Sequence, residues 1–275
     1  PTALPSEQVA IARAARRVGK TVRIGIPPAR PLVAPRVRQL RLVPAAPAGT
    51  RPRWTCPDGP RTIEDAVASV LRSLGRRAIP AESAPWSTLA AVLCAELWFL
   101  PVPGALPVRF LSGPVDLGTA AFRAARAPEI DRLLAAIDAG EAPARVAEAD
   151  PRWRGIRLAG ARWDAAAVDD LVALAAGLGP AGVRALIEVV VDHGPRATAG
   201  LPDLAVMPGP EVRIPDALPA KVPPGLILVE VKGPTDAVRD EQRVWHDRLV
   251  RAGAAVELWE VAVPPGSGQG TPVRR

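Results

Sequence analysis

The sequence predicts a mixed α/β fold in which a small sheet-bearing core stands behind a run of helices. Three observations carry this reading. Apolar positions recur at helical spacing over 62–74 and again over 164–192, short β-branched or alternating runs stand at 203–207 and 226–232, and the chain closes in the order strand, strand, helix, strand.

The chain has 275 residues, 48% hydrophobic and 23% charged, which excludes disorder throughout and allows one large or two small domains. It contains 33 Pro, no Tyr, and 32 Arg against 3 Lys, a bias that reads as GC-rich bacterial coding before it reads as function. The net charge of +7 is unevenly spread: residues 1–53 hold 11 basic residues and the single acid Glu7, so the body beyond them is slightly acidic. A basic arm ahead of a near-neutral body suits contact with a phosphate backbone, and it equally suits a solvated linker.

Residues 1–60, with 11 Pro, read as a basic arm or linker after a short helix over 8–18. From Thr62 the pattern changes. Ile63, Val67, Val70, Leu71 and Leu74 share a helical face, with Thr62 and Asp65 spaced like a capping box. A second helix is expected over 85–99, starting with Pro85 in its first turn. Residues 118–180 read as several short Ala-rich helices, with 164–178 and 180–192 the clearest; 208–224 reads as a loop between two strands. The final helix, 236–252, is closed by Gly253 and followed by a strand at 256–261.

Cys56 and Cys94 stand far apart, and His193 and His246 share no ligand spacing with them, so zinc sites and disulfide frameworks are not expected. The start lacks a signal-peptide pattern. The apolar stretch over 89–106 is interrupted by Glu96, Pro101 and Pro103, so no membrane partner is expected and the reading is a bacterial cytoplasmic, nucleoid-associated protein. No Gly-rich nucleotide loop or Ser/His/Asp triad is visible.

The chemistry-bearing feature is Glu230-Val231-Lys232. On a strand, Leu226, Leu228, Glu230 and Lys232 face one way and Ile227, Val229 and Val231 the other. Two charges in so apolar a run are costly to desolvate unless paired or bound to a cation. A strand-end ion pair near solvent is the bland alternative. Against it, Pro202-Asp203 begins the preceding strand, where a hairpin brings Asp203 beside Glu230. Downstream, Gln242 falls in a stripe with Val238, Trp245 and Leu249, and a Gln so placed asks for a polar partner. Trp98, Trp245 and Trp259 read as core; Trp54, beside Arg51 and Arg53, is a candidate for base stacking.

These residues carry a resemblance. Gly200-Leu201-Pro202-Asp203-Leu204, then Leu228-Val229-Glu230-Val231-Lys232-Gly233-Pro234, then Asp240-Glu241-Gln242-Arg243-Val244-Trp245 resembles the VRR-NUC domain (virus-type replication-repair nuclease) of the PD-(D/E)xK superfamily. Upstream, Thr62-Ile63-Glu64-Asp65, Ala81-Glu82-Ser83 before Trp86, Glu96-Leu97-Trp98 and Pro114-Val115-Asp116-Leu117 are similar to the nuclease module of the Fanconi-associated nuclease family. The resemblance implies a restriction-endonuclease-like α/β core, a mixed sheet flanked by helices, over 61–263. It also implies a helical insertion at about 118–192 and a disordered tail at 264–275.

It further implies that Asp203 and Glu230, with the Val231 carbonyl, hold Mg²⁺ or Mn²⁺, and that Glu82 extends the ligand set. Lys232 would orient the attacking water, and Gln242 would fix that water or Lys232. Glu64 and Glu96 read as a helix-start acid and a structural acid. The implied activity is a metal-dependent, structure-selective DNA endonuclease on 5′ flaps, branches or single-strand/double-strand junctions, with 5′→3′ exonuclease activity a further option. It would serve repair such as interstrand cross-link processing and leave 5′-phosphates. A Holliday-junction resolvase-like nuclease and a non-catalytic DNA-binding module are the rival readings. His193, Arg196, Arg51 and Arg53 are candidate DNA contacts. Two positions depart from the family pattern: His193 is followed by Gly194-Pro195, and Glu241 stands where some relatives place a Lys on a 5′-phosphate.

Overall fold

The computed structural model describes residues 31–45, 52–82, 84–108 and 110–264; the expected helix at 8–18, Arg51 and residues 265–275 of the expected tail lie outside them. Two compact units are built from interleaved stretches, and each is taken by itself. One comprises Ala81–Pro202 and Val238–Val256 with the start of the chain; the other comprises Arg36–Pro80, Asp203–Ala237 and Glu257–Arg275.

The second unit is built on a six-stranded mixed sheet in the order β2-β3-β7-β8-β1-β5, from β1 (Arg36–Arg41), β2 (Ala78–Pro80), β3 (Leu204–Val206), β5 (Ala217–Leu218), β7 (Ile227–Lys232) and β8 (Val256–Ala262). Strands β4 (Val212–Arg213) and β6 (Lys221–Val222) form a separate two-stranded ribbon. On one face, Leu204, Val206, Ile227, Val229, Val231, Trp259 and Val261 pack with helix α1 (Ile63–Ser73) through Val67 and Leu71. Helix α1 starts where the sequence placed it: Thr62 Oγ1 accepts from the Asp65 N–H at 3.2 Å, and Glu64 and Asp65 suit the positive end of the helix dipole.

Three expectations are corrected here. Arg36–Arg41, read as part of a basic arm, is strand β1, parallel to β8 and antiparallel to β5, with Arg38 and Leu40 buried. Trp54, read as a candidate stacking residue, is 4% exposed in the same core, tied by backbone pairing to Pro44 and Arg61. Both follow from long-range pairing that periodicity does not register. Residues 208–224, read as a loop, contain the three short strands β4, β5 and β6.

That connection is held by Arg76, whose guanidinium is buried and donates to the carbonyls of Met207 at 2.7 Å, Pro210 at 3.1 Å, Pro223 at 2.7 Å and Gly225 at 3.0 Å. Burial without a carboxylate lowers its pKa. Arg76→Ala would leave these carbonyls facing an emptied site, so amide hydrogen exchange across 207–225 should accelerate selectively in that variant.

The first unit is helical: α2 (Ala84–Trp98), α3 (Ala120–Ala125), α4 (Ala127–Asp138), α5 (Ala142–Trp153), α6 (Val168–His193) and α7 (Asp240–Arg251). Helix α2 is apolar around its whole circumference and almost wholly buried, as such a sequence requires. Helix α6 is long and apolar enough to cross a membrane by length and composition, yet it breaks at Gly179 (φ 67°, ψ 175°) ahead of Pro180, and most of its Leu, Ile and Val side chains pack inside this unit. The break divides it where the sequence divides the two expected helices. Trp98 and Trp245 are core, as read.

Candidate active site

The pairing of β3 with β7 positions the acids. Their antiparallel register sets Leu204 opposite Val229, and one step further along the same ladder sets Asp203 opposite Glu230. Leu204 and Val229 face the α1 core, so alternation turns Asp203, Glu230 and Lys232 to the other side of the sheet. Lys232 Nζ lies 2.6 Å from Glu230 Oε1, which confirms that the two share a face. Glu230 is fully buried and Lys232 and Asp203 are 8% exposed, so this is no solvated strand-end pair.

Asp203 is held by a second contact: the Val231 N–H donates to its Oδ2 at 2.8 Å. The sequence expectation used only the Val231 carbonyl. Burial first, and the Glu230 charge second, push the Asp203 carboxyl up to about 8, against the pull of the Val231 N–H and Lys232. Glu64 at the start of α1 adds to the upward push. Glu64 therefore has two effects, favouring the helix dipole and adding its charge to the field on Asp203, where sequence reasoning saw only the first.

Glu82 is exposed, two residues beyond Pro80, which itself pairs with Leu204. Among the described residues no group of three or more His, Cys, Asp or Glu side chains is gathered as a metal centre, so Asp203, Glu230 and Lys232 are what the structure brings together. Gln242 is buried, and its Oε1 accepts from the Arg239 N–H at 2.8 Å, capping its own helix. Trp86 Nε1 donates to the Pro202 carbonyl at 3.1 Å, fixing the peptide ahead of Asp203. Gly200 has φ 92°, and a Cβ there would meet the Glu241 backbone at 2.8 Å, so the approach of this loop to α7 requires glycine.

Of the candidate DNA contacts, Arg53 and Arg196 are exposed, His193 is half-buried at the end of α6, and Arg51 is outside the described residues. Glu96 is a surface acid paired with Arg152 at 3.0 Å. Both cysteines are free; burial raises the Cys56 thiol and pushes the Cys94 thiol up to about 12, so Cys94 is a small hydrophobe, as read.

Known proteins share this arrangement of residues. A VRR-NUC domain model matches residues 141–263, the stretch that contains Asp203, Glu230, Lys232 and Gln242. The matched stretch is just under half of the chain. The chain is 29% identical over 187 residues to the Fanconi-associated nuclease 1 homolog of Arabidopsis thaliana, covering 68% of this chain and 20% of that protein. It is 28% identical over 212 residues to the homolog of Pseudomonas aeruginosa, covering 74% and 35%. Among solved structures it resembles paFAN1 bound to DNA with a one-nucleotide 5′ flap and a gap, at a TM-score of 0.71, 26% identity, and coverage of 96% of this chain and 44% of that one. The α/β fold with its mixed sheet is that of the FAN1 nuclease domain. The chain spans about a fifth of the length of the plant relative and about a third of the Pseudomonas one.

Proposed function

We propose that this chain is a divalent-metal-dependent, structure-selective DNA endonuclease that acts on 5′-flap or branched DNA in repair. The observation that carries the reading is the Asp203–Glu230–Lys232 constellation on adjacent strands of the stretch that matches the VRR-NUC domain model. The solved relative bound to 5′-flap DNA supports the substrate class.

The residues fit a hard cation. Two carboxylates are crowded in a buried place, and one is held in its protonated range by burial and by its neighbour's charge. A cation there would relieve both costs, and carboxylate and carbonyl oxygens are the donors that Mg²⁺ and Mn²⁺ prefer. Asp203, Glu230 and the Val231 carbonyl would hold the ion, which when bound supplies Lewis acidity and a more acidic water. Lys232, kept in place by Glu230, presents a positive charge for the scissile phosphate and a donor to orient the attacking water. The Val231 N–H keeps Asp203 aimed across the ladder. Cleavage of this class leaves a 5′-phosphate and a 3′-hydroxyl. Glu82→Gln and Gln242→Ala test the roles the motif match implies for those two residues.

The test is a panel of labelled flap, fork, four-way junction and linear duplex DNAs with Mg²⁺, Mn²⁺ or chelator. Metal-dependent nicking of the flap or fork in preference to linear duplex is the expected result; preference for the four-way junction would favour a resolvase, and binding without cutting a non-catalytic module. Metal affinity should also depend on pH. The Asp203 carboxyl is raised, so a cation must displace its proton at neutral pH; apparent affinity should tighten as pH rises from about 6 to about 8 and then level. A metal titration flat across that range would remove Asp203 from the ligand set.

A further inference from the structure

In the helical unit, the loop between α2 and α3 carries an aromatic that the nuclease reading does not use. Phe110 is 90% exposed, flanked by Val108 at 58% and Val115 at 62%. The loop is nevertheless held at its base: the Val115 N–H donates to the Ala105 carbonyl at 2.9 Å, and Asp116 pairs with the fully buried Arg126 at 2.9 Å. A large apolar ring presented to water near such anchoring contacts is a mark of a binding surface.

Two further loops border it. The Ala159 N–H donates to the Ser112 carbonyl at 2.7 Å, two residues from Phe110, and Gly113 packs on Ala159. Gly160 lies so close to Pro195 that a Cβ would stand 2.5 Å from its side chain, joining the turn that carries Arg196. Across this surface, 100–115 contains no acid, and 152–163 contains four Arg and no acid. Arg152 and Arg154 are occupied by Glu96 and Asp150. Arg157 is exposed with no ion-pair partner among the described residues, and Arg162 has only a 3.9 Å contact with exposed Asp164.

We propose that exposed Phe110, with Arg157 and Arg162 on the adjoining 152–163 segment, is a platform for single-stranded DNA on which an unpaired base of the substrate stacks. An exposed ring serves any base through its π-face, and surrounding guanidinium groups follow the phosphates. The arginines favour a polyanion over a second copy of this chain, which would bring the same charge to the contact. The proposal rests on DNA being the substrate of the nuclease reading and adds where its unpaired strand sits.

Fluorescence anisotropy with a labelled single-stranded oligonucleotide and a blunt duplex tests it. Phe110→Ala should weaken single-strand binding about tenfold while changing duplex binding less than about twofold, and Phe110→Trp should restore it. Arg157→Ala with Arg162→Ala should reduce the slope of log affinity against log salt by about 1 to 2. The exposure of Phe110 means the alanine variant should keep its Tm. Single-strand affinity of Phe110→Ala equal to wild type overturns the platform, as does loss of a wild-type dimer in that variant with DNA binding unaltered. A wild type that cuts flaps while Phe110→Ala binds single strands normally overturns the platform alone. A wild type with Phe110-dependent single-strand binding that cuts nothing with Mg²⁺ upholds the platform and overturns the nuclease reading; one that binds no DNA overturns both.

Discussion

Asp203→Asn should lose about a thousandfold or more of metal-dependent DNA cleavage, equivalent to ~4 kcal/mol of barrier, while its metal-free form becomes more stable than wild type at alkaline pH. The two effects have one origin. The Asn oxygen can still accept from the Val231 N–H, so the ladder geometry survives. What disappears is a buried negative charge beside Glu230. The folded-state pKa of Asp203 is raised to about 8 from an ordinary 3.8. Its contribution to wild-type stability is therefore fully present below about 4 and is lost as pH rises through about 8. Asn does not titrate, so the stability curves of wild type and variant should approach each other in acid and diverge toward pH 9. Each kcal/mol recovered should raise Tm by about 2–4 °C for a chain of this size. Thermal unfolding in chelator across pH 4 to 9, beside a flap-cleavage assay, measures both. A variant that cuts like wild type, or that is destabilised in parallel at every pH, contradicts the assigned role.

The part of the site legible in the sequence is the part where residue type conflicts with local pattern. Glu230 and Lys232 interrupt an apolar strand, and that conflict alone marked them; the β3–β7 register then put Asp203 where a hairpin reading expected it. Helices α1, α2 and α6 were legible because periodicity, caps and Pro positions agree with their burial.

Strand β1 was not legible, because Arg36-Val37-Arg38-Gln39-Leu40-Arg41 reads as a basic segment; its burial depends on a partner, Glu257, 219 positions away. Strands β4 to β6 are two residues each, too short for any alternation, and are ordered by Arg76 gathering carbonyls from outside its own segment. Glu64 was read as a helix-start acid since a favourable dipole explains it completely, and its added influence on the Asp203 carboxyl depends on long-range folding that the sequence does not show. Gln242 was rightly expected to need a polar partner, and the partner the structure shows for its oxygen is the local Arg239 N–H.

Arg38→Ala should be the most damaging substitution in the sheet, costing about 3–5 kcal/mol and lowering Tm on the order of 10 °C. Arg38 is fully buried, and its Nε and Nη2 donate to Glu257 Oε2 and Oε1 at 2.8 and 2.9 Å. Its Nη1 donates to the Pro219 carbonyl, and its guanidinium lies 5.2 Å from the Trp259 ring centre. Glu257 Oε2 also accepts from Trp259 Nε1 at 2.8 Å. The network thus joins β1 and β8 and the chain just beyond β5 around one desolvated charge pair. Removing the cation strands a buried carboxylate with only the indole donor, and it is that stranded charge, more than the lost attraction, that sets the cost.

The double variant Arg38→Met with Glu257→Gln separates the two contributions. It removes both charges, fills most of the volume and keeps an acceptor for Trp259, so it should recover at least half of the stability lost in Arg38→Ala. Chemical denaturation of wild type, the single variants and the double variant gives the coupling directly. If the double variant unfolds as easily as Arg38→Ala, the ion pair stabilises the sheet by its own attraction, and the stranded-charge account is wrong.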